Sequence, residues 1–206
     1  NFYCQNRIYF YFDTDSLYRQ VKAYNKVRAW GKEMQAVCDS LIFDSRDSCM
    51  TMYKDPILWN GEVQLLGEVV KVYLKESAID WVNILNQTLY VEKLDSTCYN
   101  QIKGQEMRFY FDEGRLSEMQ VRGSVEIIFY PIDDSDSTLV GMNTTIAGRA
   151  IAYLDRGKVE KMVIPKEAKG VFYPMSQRPY EKRYLDNFSW SDYVRPQNKD
   201  DIFNWR

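Results

Sequence analysis

The sequence predicts an all-β protein: a long, twisted, two-layer antiparallel sheet built from about five hairpin units, followed by a non-repetitive C-terminal tail. Three observations lead there. Aromatic residues make up 15% of the 206 residues, 16 of them Tyr, and such side chains favour strands over helices. Apolar and polar residues alternate with period 2 over several stretches, as in a strand with one buried face. One strand–turn–strand unit recurs along the chain, each copy with a bend residue and an aromatic end.

Taken in order, the first unit runs over 7–12, turns through Asp13-Thr14-Asp15 into 18–24, bends at Asn25 and continues over 27–30. The second runs over 41–47, turns into 49–53, bends at Lys54-Asp55-Pro56 and ends on Ile57-Leu58-Trp59. The third runs over 67–74, turns at Lys75-Glu76-Ser77 and returns over 78–91 with its bend at Asn86. The fourth, 104–131, is the clearest. Met107, Phe109 and Phe111 alternate with Arg108, Tyr110 and Asp112, and Asp112-Glu113-Gly114 supplies the turn. Leu116, Met119 and Val121 follow, Gly123 marks a bulge or bend, and Pro131 ends the unit. The fifth, 147–174, lies on the fourth without a gap. Tyr153 meets Tyr110, Gly157 meets Gly114, Met162 meets Met119, Phe172-Tyr173-Pro174 meets Phe129-Tyr130-Pro131, and Lys166 takes the bend position. Units that each leave an apolar face uncovered must stack to bury it, which gives the two layers.

Segments 93–97 and 132–138 read as connections, the second an acidic solvated loop without calcium-loop spacing. The tail carries Tyr180, Tyr184, Phe188, Trp190, Tyr193 and Phe203, too many aromatics for a disordered end. An extended segment or short helical turns lying on the sheet is the expected form. The division is therefore a repeat domain over 1–174 and an aromatic extension over 175–206.

Composition excludes several classes of function. The formal net charge is −2 with no dominant basic block, which argues against a nucleic-acid partner. No apolar run approaches the roughly 18–20 residues that span a bilayer. The chain opens Asn1-Phe2-Tyr3-Cys4 without a Met, so a processed or truncated piece is expected and the missing leader carries no information about location. Cys4, Cys38, Cys49 and Cys98 lack metal-site spacing and read as buried thiols, with one disulfide as the alternative. The absence of histidine removes the usual general base and the commonest metal ligand, and no nucleophile elbow or phosphate loop is present. No enzymatic role and no cofactor are expected.

The unit pattern, Gly-x-x-φ-x-φ-Tyr, a turn, then a strand bending at Gly or Asn, resembles the OstA-like family of periplasmic lipopolysaccharide-transport proteins. Tyr53-Lys54-Asp55-Pro56-Ile57-Leu58-Trp59, Tyr99-Asn100-Gln101-Ile102-Lys103-Gly104, Tyr130-Pro131-Ile132-Asp133, Tyr173-Pro174-Met175-Ser176, Phe188-Ser189-Trp190 and Arg195-Pro196 are similar to the version found in Bacteroidetes. The resemblance implies a β-jellyroll, an open V-shaped pair of antiparallel sheets whose apolar interior holds the acyl chains of lipopolysaccharide or lipid A. It implies a location in the periplasm of a Gram-negative cell envelope. It also implies assembly with itself or with other transport proteins by edge-strand pairing. The lipid-lining residues it implies lie on the inward phase of the repeated first strand: Val70, Val72 and Leu74; Met107, Phe109 and Phe111; Ala150, Ala152 and Leu154. The long aromatic tail departs from the short bridge proteins of the family.

The same nine residues would look alike in a closed, dry sandwich, so core and cargo space stay open as alternatives. Two rival functions stand beside lipid transport: a structural assembly protein with a closed core, and a carbohydrate-binding domain using Tyr73, Tyr110 and Tyr153.

Overall fold

The computed structural model describes residues 2–3, 7–12, 18–32, 34–76, 78–133, 135–155 and 158–203. Cys4, Gly157 and the 13–15 turn of the first unit lie outside the described residues. Among the described residues fourteen strands form one sheet system. They are β1 (Phe2–Tyr3), β2 (Arg7–Phe12), β3 (Arg19–Trp30), β4 (Met34–Asp44), β5 (Cys49–Tyr53), β6 (Ile57–Asn60) and β7 (Val63–Leu66). The remainder are β8 (Val69–Lys75), β9 (Ala78–Lys93), β10 (Tyr99–Asp112), β11 (Arg115–Phe129), β12 (Gly141–Asp155), β13 (Lys158–Val163) and β14 (Lys169–Pro174).

The long strands β3, β4, β9, β10, β11 and β12 each run through two layers and bend between them. One half of β12 pairs β13 and the other pairs β14; β9 likewise pairs β8 with one half and β7 with the other. The bends align as a crease. Residues 25–26, 86–87 and 123–124 of β3, β9 and β11 stand opposite the single residues 39, 105 and 148 of β4, β10 and β12. Asn25, Lys26, Asn86, Gln87, Gly123 and Ser124 all have positive φ, as do Lys54 and Asp55 between β5 and β6. Side chains rarely adopt that region, so Asn and Gly at its first position lower the cost of the bend. The bends expected at Asn25, Asp55, Asn86 and Gly123 all lie on this line.

The two layers face each other. The first contains β2, β5, β8 and β13 with the adjoining halves of the long strands; the second contains β1, β6, β7 and β14 with the other halves. The stacked rings of Tyr90 in the second layer and Phe109 in the first lie 6.5 Å apart, and one apolar cluster takes residues from both layers. The sheet is not open throughout. Pairing of β4, β5, β8, β9, β7 and β6 closes a barrel-like circuit of six strands, because β4 and β9 cross the crease while the shorter strands fill the space between them. The expected wholly open sheet is corrected to this circuit flanked by β1–β3 on one side and β10–β14 on the other.

The described part of the tail, with four short 3-10 turns, runs over the outward face of the second layer. Leu185, Phe188 and Trp190 cover Leu89, Val91, Tyr99, Ile128, Tyr130 and Met142. Three buried glutamines fix it. Gln101 Nε2 donates to Arg183 O (2.8 Å), and its Oε1 accepts from Leu185 N (2.9 Å). Gln64 Nε2 donates to Ser189 O (2.7 Å), and its Oε1 accepts from Ser191 N (2.8 Å) and Trp59 Nε1 (3.1 Å). Gln35 Oε1 accepts two bonds from Arg195. The last turn, Asp201–Phe203, packs against β1 and β3.

Candidate functional site

The inward face of the first layer is built in tiers. Cross-strand register sets Val70, Ile84, Met107, Val121 and Ala150 side by side next to the crease. Val72, Val82, Phe109, Met119 and Ala152 form the second tier. Leu74, Phe111 and Leu154, with their partners Ile79, Leu116 and Val159, form the third, beside the hairpin turns. The nine residues singled out in the sequence thus fall three to a tier on one face.

Exposure rises from crease to mouth. Val70 and Met107 are 0% exposed, Val72 and Phe109 are 2% exposed, while Leu74, Phe111 and Leu154 are only half-buried. The inner end is therefore dry core and the outer end meets solvent. At that outer end lies a cavity of about 620 Å³. Phe109, Phe111 and Leu154 line it from the first layer, and Leu58, Leu65 and Tyr90 from the second. Val70, Val72, Leu74, Met107, Ala150 and Ala152 do not line it; they pack in the apolar cluster around it.

The rim is polar. Asn60, Glu92 and Arg115 border the cavity. Asn100 Nδ2 donates to Glu92 (2.9 Å), and the Tyr90 hydroxyl donates to the same carboxylate (3.4 Å). Burial, then the charge and hydrogen bond of Glu92, push the Tyr90 phenol far up, so it stays a neutral donor inside the cavity. An apolar depth with charged groups at the mouth suits an amphipathic ligand.

The second wall was not read from the sequence. Leu58, Leu65, Tyr90, Ile102 and Ile127 form its inner row. In β10 the single bulge residue flips the side-chain phase, so even-numbered Ile102 faces inward before the crease and odd-numbered Met107 after it. The two-residue bulges of β9 and β11 keep the phase. A count of bulge residues would have found this wall; hydrophobic alternation alone would not.

Chemistry of other kinds is sparse. Cys38, Cys49 and Cys98 are buried and free, and burial, with the nearby Asp39 charge, pushes the Cys38 thiol up to about 12. Among the described residues no cluster of His, Cys, Asp or Glu could hold a metal ion. No helix of the described chain is long and apolar enough to cross a membrane.

No protein-family model matches the chain, and no curated protein matches it. It is similar in structure to LptH of Pseudomonas aeruginosa, described as the LptA-homologous periplasmic component of the conserved lipopolysaccharide transport device. The TM-score is 0.50 at 13% identity, over 68% of this chain and 95% of that one. At that identity the likeness shows a shared fold.

Proposed function

We propose that the chain is a non-catalytic lipid-binding module of lipopolysaccharide transport, working in the periplasm of a Gram-negative envelope. The observation that carries this reading is the apolar space between the layers, closed at the crease and open at a charged rim. Its volume of about 620 Å³ falls within the range of roughly 300–1,000 Å³ typical of small-molecule sites. The fold shared with LptH points the same way. Acyl chains enter past Phe111 and Leu154 and lie against Phe109 and Tyr90, while a charged headgroup stays at Arg115 and Glu92. Val70, Val72, Leu74, Met107, Ala150 and Ala152 form the wall behind these residues, which the chains reach as the mouth widens. Each methylene moved out of water contributes on the order of 0.8 kcal/mol.

Assembly runs through strand edges in the same reading. Among the described residues β2 pairs with β3 and β14 pairs with β12, and in this reading their outer edges are where another transport protein or a second copy adds a strand. The OstA-like repeat unit over 1–174 supplies the groove, and the extension over 175–206 stiffens its second layer.

The test is photo-crosslinking in cells. A crosslinking amino acid at Phe111 should capture lipopolysaccharide, and one at outward Lys71 should not. Equal capture at both, or none at Phe111 while the purified protein carries no lipid by mass spectrometry, rejects the reading and favours a closed structural sandwich.

A further inference from the structure

Away from the groove, the outward face of the first layer carries an arginine cluster beside the crease. Register sets Glu106, Arg122 and Arg149 side by side on β10, β11 and β12, with Arg108, Gln120 and Ile151 in the next row. These side chains wall a pocket of about 190 Å³. Both Glu106 oxygens are occupied. Arg108 Nε donates to Oε1 at 2.7 Å, and Arg122 donates to Oε2 through Nε at 2.7 Å and through Nη2. One carboxylate therefore serves two guanidinium groups.

Arg149 stands directly opposite Arg122 and is exposed, and Glu106 is the one carboxylate among the residues lining the pocket. Like charges directly opposed on antiparallel strands destabilise the pair. Three guanidinium groups thus face a single carboxylate, in a chain whose formal net charge is −2. Among the described residues no carboxylate pairs with Arg149, and access on its strand is free: a Cβ placed on Gly148 would meet nothing within 4 Å. The planar guanidinium fork fits a tetrahedral oxyanion through paired donors.

We propose that this pocket binds a phosphate monoester, with Arg149 and Arg122 as donors and Glu106 as the positioning group that holds Arg108 and Arg122 in line. The phosphate belongs either to a soluble phosphorylated sugar or to a lipid headgroup presented at a surface. The inference does not use the groove: the Arg122 and Arg149 side chains stand on the outward face, while the side chains of their neighbours Val121 and Ala150 pack in the apolar cluster between the layers, and the proposal can fail or hold whatever fills that space.

The experiment follows the arginine Nε–H resonances of the full chain by NMR at fixed ionic strength. Inorganic phosphate, glucosamine 1-phosphate, and phosphatidylcholine vesicles with and without phosphatidic acid are added in separate arms. Saturable shifts at Arg122 and Arg149 are expected with phosphate. R149Q should weaken binding at least tenfold, with R149K between the two because it keeps the charge and loses the fork. A response to glucosamine 1-phosphate assigns a sugar phosphate; one that requires phosphatidic acid assigns a lipid headgroup. Unsaturable shifts spread over all surface cations, or R149Q binding phosphate like the parent, overturn the proposal.

Discussion

The outward faces of the two layers are built from the same strands and meet opposite fates. On the second layer the outward phase is apolar: Leu89, Val91, Ile128, Tyr130 and Met142. The tail covers it. On the first layer the outward phase is polar and aromatic: Lys71, Asn83, Arg108 and Gln120, beside a ladder of Tyr73, Trp81 and Tyr110. No described segment covers that face. Its aromatics satisfy one another, with Tyr73 and Trp81 stacked at 4.0 Å between centroids and the Arg108 guanidinium 5.9 Å from the Trp81 ring. The difference teaches that a strand which crosses a crease carries two separate outward sequences. Only an apolar one demands a cover.

Removing 175–206 should break the comparison most severely. It exposes the apolar outward face of the second layer and is expected to cost on the order of 5 kcal/mol or prevent folding. Urea unfolding and dye binding would report it; a truncated chain as stable as the parent would mean the tail is ornament. Gln64→Leu comes next. It leaves the Trp59 and Ser191 N–H groups buried without an acceptor, for roughly 2–4 kcal/mol. Hydrogen exchange should quicken at Ser191 before it does at Phe109.

On the outward face of the first layer the effects should be smaller. Trp81→Ala removes two ring contacts and should cost roughly 1–2 kcal/mol by denaturant titration. A loss as large as that from Gln64→Leu would show that the ladder carries the first layer as the tail carries the second.

The smallest effect is a pH dependence at Glu106. Burial pushes its carboxyl up, but the hydrogen bonds and charges of Arg108 and Arg122 outweigh burial and hold it below the usual range. A folded-state value below the unfolded one adds stability that is full at neutral pH. That stability is lost as pH falls below the ordinary carboxylate range and through the folded value. Glu106→Gln should therefore flatten the acid limb of the melting-temperature profile relative to the parent.

The first layer was largely legible in the sequence and the second was not. Met107, Phe109 and Phe111 alternate cleanly because the irregularity at Tyr110/Phe111 falls on the partner strand, where Ser117 is the extra residue, and β10 itself keeps its phase between crease and turn. The bends at Asn25, Asn86 and Gly123 could be read because positive φ selects Asn and Gly. The inward row of the second layer could not, because the one-residue bulge in β10 reverses the phase without a residue type that announces it. The target of the tail was hidden for another reason. Gln35, Gln64 and Gln101 look like surface residues, and only the chain that returns over them makes them buried pegs.

That return path has a consequence for how the molecule comes apart. A stack of hairpins held only by neighbour contacts would fray from either free end, each unit opening at its own free energy. Here the segment leaving β14 passes Gln101 on β10, Gln64 on β7 and Gln35 on β4, and ends against β1 and β3. It ties the last strands to the first. Unfolding at one end must release the other, so the array should melt as a single cooperative unit.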